Sequence, residues 1–288
     1  MRIGFAGLGV MGGPMAGHLV RAGHVVRGYN RTFAKAEAWA ASYGASAAAT
    51  PQLAAQDADL VILCVGNDDD VREVTAAAAQ AAPAGCIFVD HTTTSARVAR
   101  EMAEQVARSG CAFVDAPVSG GQAGAENGQL SVMAGGQTEA LAKAIPALNA
   151  YSKAVQHMGP VGSGQLAKMV NQICIAGVVQ GLAEAVHFAQ NAGLDPDAVY
   201  GAISKGAAQS WQMDNRWTTM ARGEFDFGFA VDWMRKDLGL VLDEARANGS
   251  HLALTALVDQ FYSEVQALGG GRWDTSSLAA RLQDRQGR

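Results

Sequence analysis

The spacing of hydrophobic and polar residues changes character once along this chain. Through the first half, short apolar runs alternate with amphipathic, alanine-rich stretches, the pattern of a parallel sheet with helices on its faces. The apolar runs predict strands at 2–6, 24–29, 60–65, 86–90, 112–115, 130–134 and 154–157. Between them, helical periodicity covers 13–22, 32–43, 69–82, 95–109 and 138–149. After Gly159-Pro160 the strand signals stop and long helical patterns follow at 163–192, 196–205, 229–248 and 250–268. Gly193, Gly206, Gly228 and Gly249 fall at or near the ends of these segments, where turns are needed. The expectation is a doubly wound sheet over residues 1–162 and an all-helical domain over 163–288, entered by one long helix.

Composition narrows the partners. A length of 288 residues accommodates two ordinary domains. The formal net charge is −5 and the Lys and Arg residues are dispersed, so no basic stripe is available for a phosphate backbone or an anionic bilayer. Neither nucleic acid nor a membrane is an expected partner. Cys64, Cys86, Cys111 and Cys174 are far apart and form no CxxC pair, which predicts buried, reduced thiols. The apolar start, MRIGFAGLG, lacks a small-residue cleavage pattern, and no run of about 18 uninterrupted apolar residues occurs. These features predict a soluble, cytoplasmic protein. The histidines, His18, His24, His91, His157, His187 and His251, show no metal spacing, so no metal site is expected. His91 lies near the expected cleft and reads as structural or cofactor-adjacent.

The first strand runs into GLGVMG, in which Gly7, Gly9 and Gly12 have the GxGxxG spacing between a strand and a helix. In that context the first glycine permits a tight turn, the second admits a pyrophosphate to the backbone and the third lets helix and strand pack closely. Leu8, Val10 and Met11 complete the loop. This makes the first domain Rossmann-like and the cofactor a dinucleotide; a purely structural turn is the alternative. The second strand ends at Asn30-Arg31-Thr32, with no acid at that corner. An acid there serves the ribose hydroxyls of NAD, whereas arginine accommodates a 2′-phosphate. NADP is therefore expected over NAD, against the alternative of a surface Arg31 beside an N-cap Thr32. Cys64-Val65 and Thr92-Thr93 follow later strands and either offer small or hydroxylic residues to the nicotinamide half or are plain loops.

Two further stretches carry candidate chemistry. In DAPVSGGQAGAENGQL, from Asp115 to Leu130, Ser119-Gly120-Gly121 reads as a glycine-rich loop whose N–H groups suit a carboxylate, or as a plain hairpin connection. In GSGQLAKMVNQ, from Gly162 to Gln172, Lys168 opens a helix with Asn171 and Gln172 one turn later on the same face. A lysine in that position is either a solvated surface residue or a general acid for a developing alkoxide. Desolvation in a cleft would bring it nearer to working pH.

Together, GLGVMGGPMA, DAPVSGG and GSGQLAKMVNQ resemble the β-hydroxyacid dehydrogenases, the group containing 3-hydroxyisobutyrate dehydrogenase and tartronate semialdehyde reductase. The resemblance extends over nearly the whole chain, through KDLGLVLDEA from Lys236 to Ala245. It implies that Gly7, Gly9 and Gly12 bind the dinucleotide, that Ser119, Gly120 and Gly121 bind the substrate carboxylate, and that Lys168 is the proton donor with Asn171 as substrate ligand. It also implies Val65 and Thr93 near the cofactor, and Lys236 with Asp237 at the lip of the cleft. The family often has two asparagines where this chain has Asn171-Gln172, so Gln172 bears on substrate choice. Trp211, in QSWQMDNRW, is expected to wall the pocket or to belong to the core.

The expected activity is NADP-dependent interconversion of a small 3-hydroxyacid and its semialdehyde, with Lys168 as general acid and base. An imine reductase of the same fold is the first alternative, disfavoured because such enzymes typically lack the lysine. A catalytically silent NADP-binding module is the second, disfavoured by the presence of Ser119, Lys168 and Asn171 together. The long apolar helix, with Ile, Val, Leu and Ala on more than one face, predicts association through the helical domains, and the resemblance implies a homodimer or homotetramer.

Overall fold

The computed structural model describes residues 1–284. The chain divides into two compact units, Met1–Lys168 and the residues from Met169 onward.

The first unit contains β1 (Arg2–Ala6), α1 (Gly12–Arg21), β2 (Val25–Tyr29), α2 (Phe33–Tyr43), β3 (Ser46–Ala48), α3 (Pro51–Ala55), β4 (Leu60–Leu63), α4 (Asp68–Ala79) and β5 (Ile87–Asp90). It continues with α5 (Ala96–Ala107), β6 (Ala112–Asp115), β7 (Val118–Ser119), α6 (Gly121–Glu126), β8 (Leu130–Gly135), α7 (Thr138–Leu148), β9 (Ser152–Gly159) and the first turns of α8 (Ser163–Asn191). The sheet order is β3-β2-β1-β4-β5-β6-β8-β7, with β9 beside β8. From β3 to β6 all neighbours are parallel, whereas β8 is antiparallel to β6 and β7 and parallel to β9. The sheet is thus Rossmann-like and doubly wound, but mixed rather than wholly parallel. The strand order reverses between β1 and β4, which opens a crevice at their carboxyl ends.

All seven expected strands are present. The two additional ones, β3 and β7, are three and two residues long, too short to show a period. Burial on both faces explains the continuous apolar runs. Leu60 and Ile62 pack with Ile3, Phe5 and Leu19 on one face, while Val61 and Leu63 pack with Phe88, Val98 and Phe113 on the other. The helix α6 was unforeseen because it opens on glycine, a poor helix former.

The second unit holds the rest of α8, then α9 (Pro196–Ile203), α10 (Trp211–Arg222), α11 (Val231–Asn248), α12 (Ala253–Ala267) and α13 (Leu278–Asp284). Its core is built on Trp217, Met234, Leu238, Val258 and Tyr262. α10 escaped the pattern because its mean hydropathy is low, yet Ser210 caps it by accepting the Met213 N–H at 3.0 Å. By length and composition α8 alone, among the described residues, passes as a bilayer-crossing helix, with 44% of its most apolar window buried inside the protein. Its polar Gln165, Lys168, Gln172 and Gln180 are all buried, which is the arrangement of a core helix. The cysteines are free, but only Cys86 and Cys111 are buried; Cys174 is exposed on α8, contrary to the expectation of four buried thiols.

His91 shows how the sheet edge is locked. Its Nδ1 lies 2.5 Å from the Ala116 carbonyl and its Nε2 2.8 Å from the Tyr151 hydroxyl. A carbonyl only accepts, so Nδ1 carries the proton and Nε2 accepts from Tyr151. Burial lowers the ring pKa from 6.5 to about 4. Such a ring costs nothing above pH 6.5 and opposes folding increasingly as the pH falls toward 4. The stability gap between wild type and His91→Gln is therefore expected to narrow by up to about 3 kcal/mol between pH 7 and pH 4. Urea unfolding at the two pH values measures it; a constant gap would refute the assignment.

Candidate active site

β1 ends in the glycine loop, and the loop's geometry requires glycine at two positions. Gly7 has φ +99°, and a Cβ there would lie 2.1 Å from the Cys64 carbonyl oxygen, so the loops after β1 and β4 touch through backbone. A Cβ at Gly12 would lie 1.9 Å from the Gly7 carbonyl oxygen, which brings the first turn of α1 onto the loop. Gly9, by contrast, has nothing within 4 Å of its would-be Cβ and faces open space. Leu8 is buried, Val10 is 68% exposed, and Met11 caps α1 without a side-chain bond. A close-packed base, an open central glycine and an uncapped helix N-terminus fit a dinucleotide pyrophosphate.

At the end of β2, the Asn30 carboxamide is committed to the loop: its Oδ1 accepts the Leu8 N–H at 3.2 Å and its Nδ2 donates to the Thr32 carbonyl at 3.2 Å. Thr32 caps α2 without using its hydroxyl. Arg31 extends into solvent and its Nη1 lies 3.3 Å from Asp70 Oδ1. The expectation of no acid at this corner is therefore corrected: Asp70 arrives from the first turn of α4, distant in sequence and invisible to local reading.

A chain of hydrogen bonds joins the later strand ends to α8. The Val65 N–H donates to Thr92 Oγ1 at 3.0 Å, and the Thr92 N–H donates to Asp90. Gln165, wholly buried, donates from Nε2 to the Thr92 carbonyl at 2.7 Å and accepts the Thr94 N–H at 3.0 Å. Asp115, at the end of β6, accepts the Gly162 N–H on Oδ1 at 2.7 Å and the Gln165 N–H on Oδ2 at 2.9 Å, so a carboxylate from the sheet caps α8. Burial pushes the Asp115 carboxyl up to about 6 against the lowering effect of these backbone bonds. One turn beyond Gln165 stands Lys168, 8% exposed. It is a buried lysine, not a solvated surface residue. Val65 and Thr93, both half-buried, sit on the two loops that this chain of bonds holds together. Asp115 and Gln165 lie inside the motifs quoted above, but nothing in their local pattern distinguished an anchor from a neighbour.

The substrate loop is partly a strand and partly a helix start. Ser119 is half-buried in β7 opposite Ser131, and Gly120, with φ +133°, turns the chain so that α6 begins at Gly121. Gly120 and Gly121 are exposed, as carboxylate recognition by backbone requires.

Within the helical unit, Asp237 is buried and accepts from Gln172 Nε2 at 2.7 Å, with Lys236 Nζ at 3.3 Å from its other oxygen. The Lys236–Asp237 pair is thus partly interior. Because a carboxylate only accepts, Gln172 must present its Oε1 to Asn171, whose Nδ2 donates to it at 2.8 Å. Asn171 is left with its carbonyl oxygen and one N–H, and Gln172 serves to orient it. Trp211 is the first residue of α10 and 59% exposed, so it does not belong to the core; the Arg216 guanidinium lies 5.2 Å from its ring centroid.

Residues 2–159 match the family described as the NAD binding domain of 6-phosphogluconate dehydrogenase. Residues 162–282 match the one described as NAD-binding of NADP-dependent 3-hydroxyisobutyrate dehydrogenase. The 2-hydroxy-3-oxopropionate reductase of Escherichia coli K12 is 33% identical over 98% of this chain and 97% of its own length. The chain belongs to the β-hydroxyacid dehydrogenase family. An uncharacterized oxidoreductase of Shewanella frigidimarina is 62% identical, over 98% of both chains. The solved structure of Mycobacterium tuberculosis 3-hydroxyisobutyrate dehydrogenase with L-serine superposes with a TM-score of 0.89 at 33% identity, covering 97% of this chain and 98% of the other. This β-hydroxyacid dehydrogenase is accordingly an oxidoreductase with a nicotinamide cofactor, as the glycine loop of β1 had indicated.

Proposed function

We propose that this protein is an NADP-preferring dehydrogenase that interconverts a small 3-hydroxyacid and its semialdehyde, with Lys168 as general acid and base. The observation that carries the reading is the burial of Lys168 one turn beyond an anchor tied to the ends of β5 and β6. A bound nicotinamide supplies or accepts the hydride. Lys168 gives a proton to the carbonyl oxygen in reduction and takes it from the hydroxyl in oxidation. Its water-poor surroundings strengthen its interaction with a developing negative oxygen. Asn171, oriented by Gln172 and Asp237, presents a carbonyl oxygen able to accept from a substrate hydroxyl. Ser119 and the exposed backbone of Gly120 and Gly121 supply donors for a carboxylate. The reaction matches the names of the Escherichia coli and Mycobacterium tuberculosis relatives, whose compounds join a carboxylate to a neighbouring hydroxyl or aldehyde. Arg31 and the uncommitted Thr32 hydroxyl support a 2′-phosphate. The exposed Val170, Val178 and Phe188 of α8 support self-association, and we infer a cytoplasmic homo-oligomer.

Lys168→Ala is expected to lower kcat by about 10²-fold or more on a panel of small semialdehydes and 3-hydroxyacids; turnover within a few-fold of wild type would remove Lys168 from the mechanism. Arg31→Ala is expected to lower the ratio of kcat/KM for NADP over NAD by about tenfold, the scale of one lost charge-assisted contact. An unchanged ratio would remove Arg31 from coenzyme selection.

A further inference from the structure

The corner at the end of β2 holds two opposite charges where coenzyme preference is set. Three consecutive acids open α4, and the structure distributes them differently. Asp68 accepts from the Ser95 N–H and hydroxyl at 3.0 and 2.5 Å, and Asp69 pairs with Arg72 at 2.9 Å. Asp70 turns the other way, toward Arg31 at 3.3 Å, while its Oδ2 accepts the Gly66 N–H at 3.1 Å from the loop after β4. It is thereby held in place from two sides, since its own N–H also donates to Asn67 Oδ1 at 2.9 Å. The Arg31 side chain is 85% exposed, so the pair is worth little and the guanidinium is free to exchange partners. Asp70 is only a quarter exposed and is not. Glu73 adds to the negative charge of this corner: the Tyr29 hydroxyl pKa is raised by burial and then by Glu73, and lowered by Arg31.

We propose that Asp70 is a specificity-determining residue that restrains NADP recognition: it occupies Arg31 when the corner is empty and repels the 2′-phosphate when Arg31 binds it. The inference rests on the proposed role of Arg31 toward that phosphate. A fixed carboxylate facing a mobile guanidinium lowers the advantage that Arg31 alone would confer, and leaves the 2′-hydroxyl of NAD unpenalised. The chain then uses both coenzymes with a moderate preference for the phosphorylated one. The pairing is a difference between affinities, built from one attractive and one repulsive group on the same site.

Asp70→Asn tests this, because the amide keeps an acceptor for the Gly66 N–H and removes only the charge. Dissociation constants for NADPH, NADH and the fragment 2′,5′-ADP are to be measured by protein fluorescence and calorimetry, without substrate. The variant is expected to bind NADPH and 2′,5′-ADP about fivefold more tightly, with NADH affinity unchanged, the scale of one exposed charge acting on a dianion. An unchanged NADPH-to-NADH ratio in a protein that binds NADPH would overturn the inference alone, and so would an equal change for both coenzymes. A wild type that binds neither coenzyme would overturn the coenzyme reading itself, and the inference with it.

Discussion

The bond on which the candidate site depends is the capping of α8 by Asp115. A helix N-terminus leaves backbone donors without partners, and a buried one must find acceptors. Here they come from β6, which ends the parallel run that starts at β3: one Asp115 oxygen accepts the Gly162 amide at 2.7 Å and the other the Gln165 amide at 2.9 Å. Gln165 then repeats the tie from the helix side, bonding backbone on either side of Thr93. Two independent pairs of hydrogen bonds therefore define where α8 begins and how it is rotated. Lys168 follows within one turn, so its position is a consequence of the sheet.

The same economy appears in two polar constellations, one in each unit. Along the sheet edge, Val65, Thr92 and Gln165 form a continuous path of donors and acceptors from the loop after β4 to α8. In the helical unit, Asp237 imposes a direction on Gln172 and through it on Asn171. In each case a buried acceptor-only or doubly bonded group removes the rotational freedom of an amide. Preorganisation of this kind is what a site for hydride and proton transfer requires, because the reacting groups must not reorient during the step.

Much of this was legible in the sequence where local pattern and structure coincide. The alternating apolar runs located seven strands, and GLGVMG identified its own turn because glycine spacing, strand and helix all had to agree. Helical spacing placed Lys168 and Asn171 on one helix, as α8 has them. What remained hidden was long-range. Asp70 reaches Arg31 across two helices and two strands of intervening chain, so the corner looked free of acid. Asp115 and Gln165 resemble any other polar residues within their motifs until the sheet brings them together. Gln172 looked like an extra substrate amide, whereas its bonds run to Asp237 and Asn171. The short elements β3, α3, β7, α6 and α13 were missed because two to seven residues carry too little periodicity.

The anchoring of α8 can be observed directly by residue-resolved amide hydrogen exchange. If Asp115 and the sheet hold the helix start, the Gly162, Gln165 and Thr94 amides exchange as slowly as those of the central strands β1 and β4, through large-scale opening. Exchange of these three amides at the rate of an exposed turn, while β1 and β4 stay protected, would contradict the account.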